Sequence, residues 1–184
     1  SRLGGDEHFR SIATWHLNRL YELAPTVEKL RERLKQELSS TDDPHNPPMT
    51  YHDIWIELDP IEDERDHCCF IACVFTALYF EALIYDYAAS CLGDTYVLAH
   101  LDKLDFVSKW IVIPKLTVGK EIDKSRAAFS ALKKLHKDRN SLVHLKSRPM
   151  VRSPELISNY LEKRESELKE TAKNCKLALE IVVR

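Results

Sequence analysis

The chain has 184 residues, a formal net charge of −2 at pH 7 and a charged fraction of 30%. This length suits a single domain with its own hydrophobic core and argues against two domains. Only four glycines are present, and runs of Val, Ile and Thr between turn signals are almost missing, which excludes a β-rich fold. We therefore expect one all-α domain over residues 1–184, with its bundle core in residues 61–184.

The N-terminal third is predicted to form one amphipathic helix followed by a loop. Between residues 8 and 38, apolar side chains recur mostly every three or four positions, which describes one face of a helix. Pro25 is expected to kink this helix or to split it in two. Residues 39–60 contain four prolines and several Asp, Asn, Ser and Thr residues, so the sequence predicts a proline-rich loop. Trp55 and Ile56 are expected to fasten this loop to the body.

The second predicted helix, over residues 61–91, begins with acidic residues and then becomes apolar almost all round. Gly93 is expected to end it. Such a helix is typical of the centre of a bundle or of a dimer interface. Its longest uncharged run, from Cys68 to Phe80, covers 13 residues, whereas a bilayer span needs about 20. We therefore expect a buried helix and no membrane contact.

The cysteines indicate a reduced compartment, and we expect the protein in the cytoplasm. Their number is odd and no pair has CxxC spacing, so free thiols are expected. The first ten residues lack the apolar core of a signal peptide. His67 with its neighbouring cysteines has no second Cys or His pair at ligand spacing, and no Gly-rich loop for phosphates is present. We expect no metal and no cofactor.

Three further elements complete a bundle of about five helices. Residues 101–114 form a short predicted helix that ends at a proline. A basic helix follows over residues 122–145. Ser153, Pro154 and the following Glu then provide an N-cap, a proline at the first helical position and an early acid. The last helix is expected to begin there and to continue to about residue 183.

The basic helix has an arginine where an apolar residue is expected. Its apolar register runs at spacings of four and three through Ala128, Leu132, Leu135, position 139 and Leu142. Position 139 is Arg, and burying an unpaired guanidinium costs several kcal/mol, on the order of a whole domain's margin of stability. Either the bundle opens into a wet cleft at this point or the arginine holds an anion.

A polar stripe lies beside this arginine. His136, Asn140 and His144 follow at intervals of four, so their side chains stack along one side of the helix. The alternative is that His136 and Asn140 are ordinary surface residues at the edge of the apolar stripe. From residue 133 to residue 152 the local charge is +6, in a chain whose total is −2. Either this is a phosphate-binding face or it is a solvated helix paired with the acidic start of the second helix.

Residues 139–144 read RNSLVH, which matches the R-N-x-x-x-H form of an arginine and histidine signature. With its place near the end of the fourth of about five helices, this motif resembles that of the HEPN superfamily of helical, RNA-associated proteins. The resemblance covers roughly residues 61–183. It implies an antiparallel helical bundle that dimerises so that two motifs line one cleft. In active members it also implies cleavage of RNA without a metal.

Carried over by position, the resemblance makes Arg139, Asn140 and His144 the catalytic site. Metal-independent cleavage needs a base, an acid and a cation that stabilises the charged phosphorane. A histidine titrates near neutral pH and a guanidinium grips phosphate bidentately, so His144 suits the acid or base and Arg139 the phosphate clamp. The neighbouring polar and basic residues expected to bind substrate are Lys133, His136, Lys137, Lys146 and Arg148.

A geometric argument makes the dimer a requirement of this hypothesis. Five residues at about 100° each place His144 about 140° round the helix from Arg139, so one straight helix cannot aim both at one atom. Two facing copies supply two arginines and two histidines. We therefore expect a homodimer that acts on RNA, as a toxin or in phage defence.

The resemblance leaves partners and activity open. A cognate antitoxin or nucleotidyltransferase is a possible partner, yet Lys146 stands where some HEPN toxins carry the tyrosine that such a partner modifies. Many members have lost activity, so the alternative function is a catalytically inactive HEPN module that binds RNA, nucleotide or a protein. Within the apolar second helix, Glu81 or Asp86 is expected to approach Arg139 and orient it, because a buried acid needs a partner. Otherwise these acids lie at the helix's exposed edge.

Overall fold

The computed structural model describes residues 5–40, 48–143 and 154–181, with side chains described for residues 6–40, 48–143 and 162–181. Over these residues the protein is all-α and has no strand, which confirms the predicted fold class. The described residues form six helices, which are α1 (Gly5–Ser39), α2 (Met49–Leu92), α3 (Asp94–His100), α4 (Phe106–Val118), α5 (Ala127–Val143) and α6 (Pro154–Ile181).

The two longest helices, α1 and α2, pack side by side in opposite directions. Contacts pair the end of α1 with the start of α2, through Glu37 and Thr50, and earlier residues of α1 with later ones of α2, as in Arg19 with Glu64. Leucines and a valine at helical spacing on α1 form the buried seam, and they pack against Ile54 and Leu58. The amphipathic pattern of α1 therefore forms a real interface.

The predicted proline-rich loop is wrong over residues 49–60, because α2 begins at Met49 and runs through Pro60. Trp55 and Ile56 do not fasten a loop, since they are 38% and 71% exposed. Ile54 and Leu58, four residues apart, face α1 instead and are buried. A proline inside a helix costs about 3 kcal/mol, which burial of two large side chains offsets at about 1.5–3 kcal/mol each.

Pro25 likewise lies inside a helix that continues on both sides of it, so α1 is not split. Gly93 ends α2 as predicted, with a φ of 85° that a residue with a side chain rarely adopts. The short helix α3, directly after it, was not predicted. The next helix begins later than expected, at Phe106, because Asp105 accepts hydrogen bonds from the first backbone N–H groups of α4.

Helix α2 occupies the centre of the molecule and contacts each of the other five helices. It is also the one helix among the described residues that is long and apolar enough to cross a membrane, and half of its most apolar window is buried in the protein. This is weak evidence for a membrane span, because the core helix of a soluble protein has the same composition.

A network of charges joins α6 to the α1–α2 pair. Arg65, only 4% exposed, lies 2.9 Å from the carboxylate of Glu165. Arg31 donates a hydrogen bond to the same carboxylate over 2.7 Å and contacts Glu62 as well. Because a buried guanidinium needs a partner, this network fixes the position of α6 along the bundle.

Candidate functional site

Helix α5 carries the predicted motif and is held against α2, α4 and α6. Leu132 and Leu135 of the predicted apolar register are buried in the main core, next to cysteines and alanines of α2 and α6. Ala128 and Leu142, the outer members of the register, are partly buried. The register is therefore correct at its centre and is only partly buried toward both ends.

Arg139 lies in the C-terminal half of this register and is partly buried. Its Nη1 atom donates a hydrogen bond to Oδ1 of Asn140 over 3.0 Å. No carboxylate among the described side chains forms a salt bridge with it, and one of its five N–H donors is used in the described contacts. A guanidinium with donors to spare at the edge of a core is chemically suited to bind an anion.

His136 lies on the neighbouring side of α5 and contacts both Asn140 and α4. Its Nε2 atom is 3.0 Å from Nδ2 of Asn140. Its ring stacks on Phe106, with centroids 5.5 Å apart and planes 3° from parallel. Asp105, next to Phe106, has a lowered pKa because of hydrogen bonds from the side chain and backbone of Ser108. His136, Asn140 and Arg139 therefore form a connected row.

Asp138, beside Arg139 in sequence, points toward α6. Its carboxylate accepts a hydrogen bond from Nδ2 of Asn174 over 2.8 Å, and Asn174 is 3% exposed. Burial raises the pKa of Asp138, and the hydrogen bond from Asn174 opposes this shift. Asp138 thus fastens α5 to α6 immediately beside Arg139.

The basic residues of α5 fall into two groups. Lys133 and Lys137 are exposed, and successive positions on the helix place them beside the row of His136 and Asn140. Lys134 lies 3.6 Å from Glu170 of α6. Because Lys133 and Lys137 face solvent, both suit contact with phosphates outside the row.

Of the two acids of α2 that were expected near Arg139, Glu81 is paired with a different cation. Glu81 accepts a hydrogen bond from Nζ of Lys109 over 2.9 Å, and Lys109 is 5% exposed. Lys109 lies 3.9 Å from Asp102 as well. Asp86 is partly buried on α2. The acid inside the second helix does have a cationic partner, but for Glu81 that partner is a buried lysine of α4.

The cysteines are free thiols, as expected, and all except Cys91 are buried. Burial raises the pKa of Cys69 to about 12, so this thiol is not a nucleophile at neutral pH. The hydrogen bond between Cys175 and Cys73, which favours the protonated thiol, and burial raise the pKa of Cys175. Among the described residues, no group of three or more His, Cys, Asp or Glu side chains could hold a metal ion.

Three of the predicted site residues, His144, Lys146 and Arg148, lie outside the described residues. The described part of the site is therefore the row of Arg139, Asn140 and His136. Phe106 and Asp138, which support this row, were missed by the sequence reasoning. The sequence DFVS from Asp105 holds an N-cap signal that could have placed Phe106 at a helix start.

Comparison with protein-family models, curated proteins and solved structures finds no match to this chain.

Proposed function

We propose that the chain is a HEPN-type helical bundle and a metal-independent endoribonuclease that acts as a cytoplasmic homodimer, in a toxin or phage-defence role. The observation that carries this proposal is Arg139. Its guanidinium lies partly buried in an apolar stripe, is hydrogen-bonded to Asn140, and has no carboxylate partner among the described side chains. An arginine in this setting gains from binding a phosphate.

The proposed chemistry assigns each motif residue a task. Arg139 binds the scissile phosphate and stabilises the charge that develops on it. His144 transfers a proton, either from the 2′-hydroxyl or to the leaving 5′-oxygen. Two copies facing each other supply both the acid and the base. Lys133 and Lys137 hold neighbouring phosphates of the RNA, because both are exposed on the same helix.

A second function uses the same surface without the chemistry. A catalytically inactive module would use Arg139 and the exposed lysines to bind RNA, nucleotide or an acidic protein segment, and His144 would contribute no proton transfer. The +6 charge of residues 133–152 supports binding of an anionic partner in both cases.

The test is cleavage of a mixed RNA by purified protein in excess chelator, beside Arg139→Ala and His144→Ala. A matched control is Arg126→Ala, which removes an arginine whose side chain is 78% exposed near the start of the same helix. Cleavage that leaves cyclic phosphate ends, is lost in both motif variants and persists in the control supports the nuclease. No cleavage by a protein that light scattering shows to be dimeric supports the inactive module.

A further inference from the structure

We propose that His136 is a positioning residue of this site. As a neutral imidazole with its proton on Nδ1, it fixes the amide of Asn140, and Asn140 in turn orients the guanidinium of Arg139. This inference deepens the proposed function and rests on it for its biological meaning. The sequence predicted that His136 contacts the substrate. The inference instead assigns His136 a role in orienting other side chains of the protein.

The first step is the orientation of the Asn140 amide. A guanidinium has five N–H donors and no acceptor. The group of Asn140 that lies 3.0 Å from Arg139 Nη1 must therefore be its carbonyl oxygen, and the amide nitrogen must face the other way. The amide nitrogen carries two donors and no acceptor.

The second step is the protonation state of His136. Its Nε2 atom lies 3.0 Å from the Asn140 amide nitrogen, which can only donate. Nε2 must then accept, so it carries no proton. A neutral imidazole with a bare Nε2 carries its proton on Nδ1. Because Arg139 can only donate, it sets the direction of both hydrogen bonds, from Arg139 to Asn140 and from Asn140 to His136.

The third step is the fixed position of the ring. The imidazole lies parallel to Phe106, 5.5 Å between centroids, and Phe106 is 7% exposed in the main core. Phe106 is held in turn by the Asp105 cap at the start of α4. The row therefore begins on the rigid core and ends at the guanidinium. A guanidinium held this way loses less side-chain entropy when it binds a phosphate.

The first experiment reads the tautomer and needs no activity. Nitrogen-15 NMR of histidine-labelled protein above pH 8 distinguishes Nδ1–H from Nε2–H, and the spectrum of His136→Gln identifies the signal among eight histidines. We expect the Nδ1–H form. We also expect the signal to change to Nε2–H or to the doubly protonated form in Asn140→Asp, whose carboxylate can only accept. An Nε2–H form in the unaltered protein overturns the inference, even if the protein cleaves RNA.

The second experiment measures the effect on Arg139. Affinity is measured for a 2′-O-methyl RNA oligonucleotide, which has no 2′-hydroxyl to attack and so reports binding in an active or an inactive protein. His136→Phe keeps an aromatic ring on Phe106 but removes the acceptor, and we expect affinity to fall about tenfold. His136→Gln keeps an acceptor at this position, so we expect affinity near that of the unaltered protein.

These outcomes separate the two proposals. Equal affinities for the Phe and Gln variants, with both folded by circular dichroism, overturn the positioning role. The predicted tautomer and affinities in a protein that does not cleave RNA support the positioning role and contradict the nuclease.

Discussion

Lys109 of α4 donates a hydrogen bond to Glu81 of α2 over 2.9 Å, although its side chain is only 7% exposed. A buried ammonium without this acceptor would keep only Asp102, at 3.9 Å. The pair therefore holds α4, and with it Phe106, against α2. Glu81 contributes to the site by fixing the helix on which His136 stacks, and its own partner is Lys109.

The first prediction is that Glu81→Gln lowers the free energy of unfolding by about 1 kcal/mol, because the glutamine oxygen can still accept a hydrogen bond from Lys109 but the charge opposite the buried ammonium is lost. The loss is small for a buried cation because the Glu81 side chain is 38% exposed and water screens the pair. Urea denaturation measures the change. Glu57→Gln on the same helix is the control, since its contact with Arg33 is 4.0 Å long and both side chains are over half exposed. Equal effects of the two substitutions would contradict the prediction.

The second prediction concerns Glu165, whose pKa is lowered. Burial alone would raise this pKa, but the guanidinium groups of Arg65 and Arg31 outweigh it. A lowered folded-state pKa gives stability that is complete above the unfolded value of 4.5 and is lost as pH falls through the folded value. Glu165→Gln should therefore cost roughly 3 kcal/mol at neutral pH, because the guanidinium groups of Arg65 and Arg31 each lose one anionic partner, and the cost should shrink in acid.

Thermal unfolding of this variant beside the unaltered protein, at pH values from 7 down to 3, measures the difference. Glu167→Gln is the matched control, since it is 68% exposed on the same helix. If the difference in stability between the two proteins stays constant over this pH range, the charge of Glu165 is not the source of its contribution to stability.

Much of the fold could be predicted from local patterns, because helical periodicity and caps are properties of neighbouring residues. The end of α2 at Gly93 and the centre of the α5 register, at Leu132 and Leu135, follow from such patterns. Residues 49–60 could not be assigned this way. Their prolines and polar residues favour a loop, and only packing of Ile54 and Leu58 on α1 overrides that preference.

The site shows the same division. Arg139 stood out as a charged residue in an apolar register, and Asn140 and His136 followed from helical spacing. Phe106 did not, because it and His136 lie on different helices and are 30 residues apart in the chain. Contacts between distant segments leave no trace in the spacing of either segment. The partner of Glu81 was missed for the same reason.

The third prediction concerns thiol reactivity. Cys91 is exposed near the end of α2, whereas Cys69 has a pKa of about 12 because it is buried. Since the thiolate is the reactive form, we expect one cysteine to react rapidly with an aromatic disulfide reagent at pH 8 and the others to react only on unfolding. The fast phase should disappear in Cys91→Ser, and no other cysteine of the folded variant should react rapidly. A fast phase that survives this substitution would contradict the burial of the other thiols.

The fourth prediction is a pH dependence of opposite sign at Asp138. Burial raises its pKa above the usual value of 3.8, so the folded protein holds a proton that the unfolded chain has already released. Stability from this group therefore falls as pH rises from 3.8 through the folded-state pKa, and then stays constant.

Asp138→Asn removes this loss of stability but can still accept the hydrogen bond from Asn174 through its amide oxygen. We expect the variant to gain stability relative to the unaltered protein as pH rises through this window, measured by thermal unfolding. The relative stability of Glu165→Gln should instead fall as pH rises through the folded-state pKa of Glu165 toward 4.5, where its contribution is complete. If the relative stabilities of the two variants change with pH in the same direction, the environments assigned to these two carboxylates are contradicted.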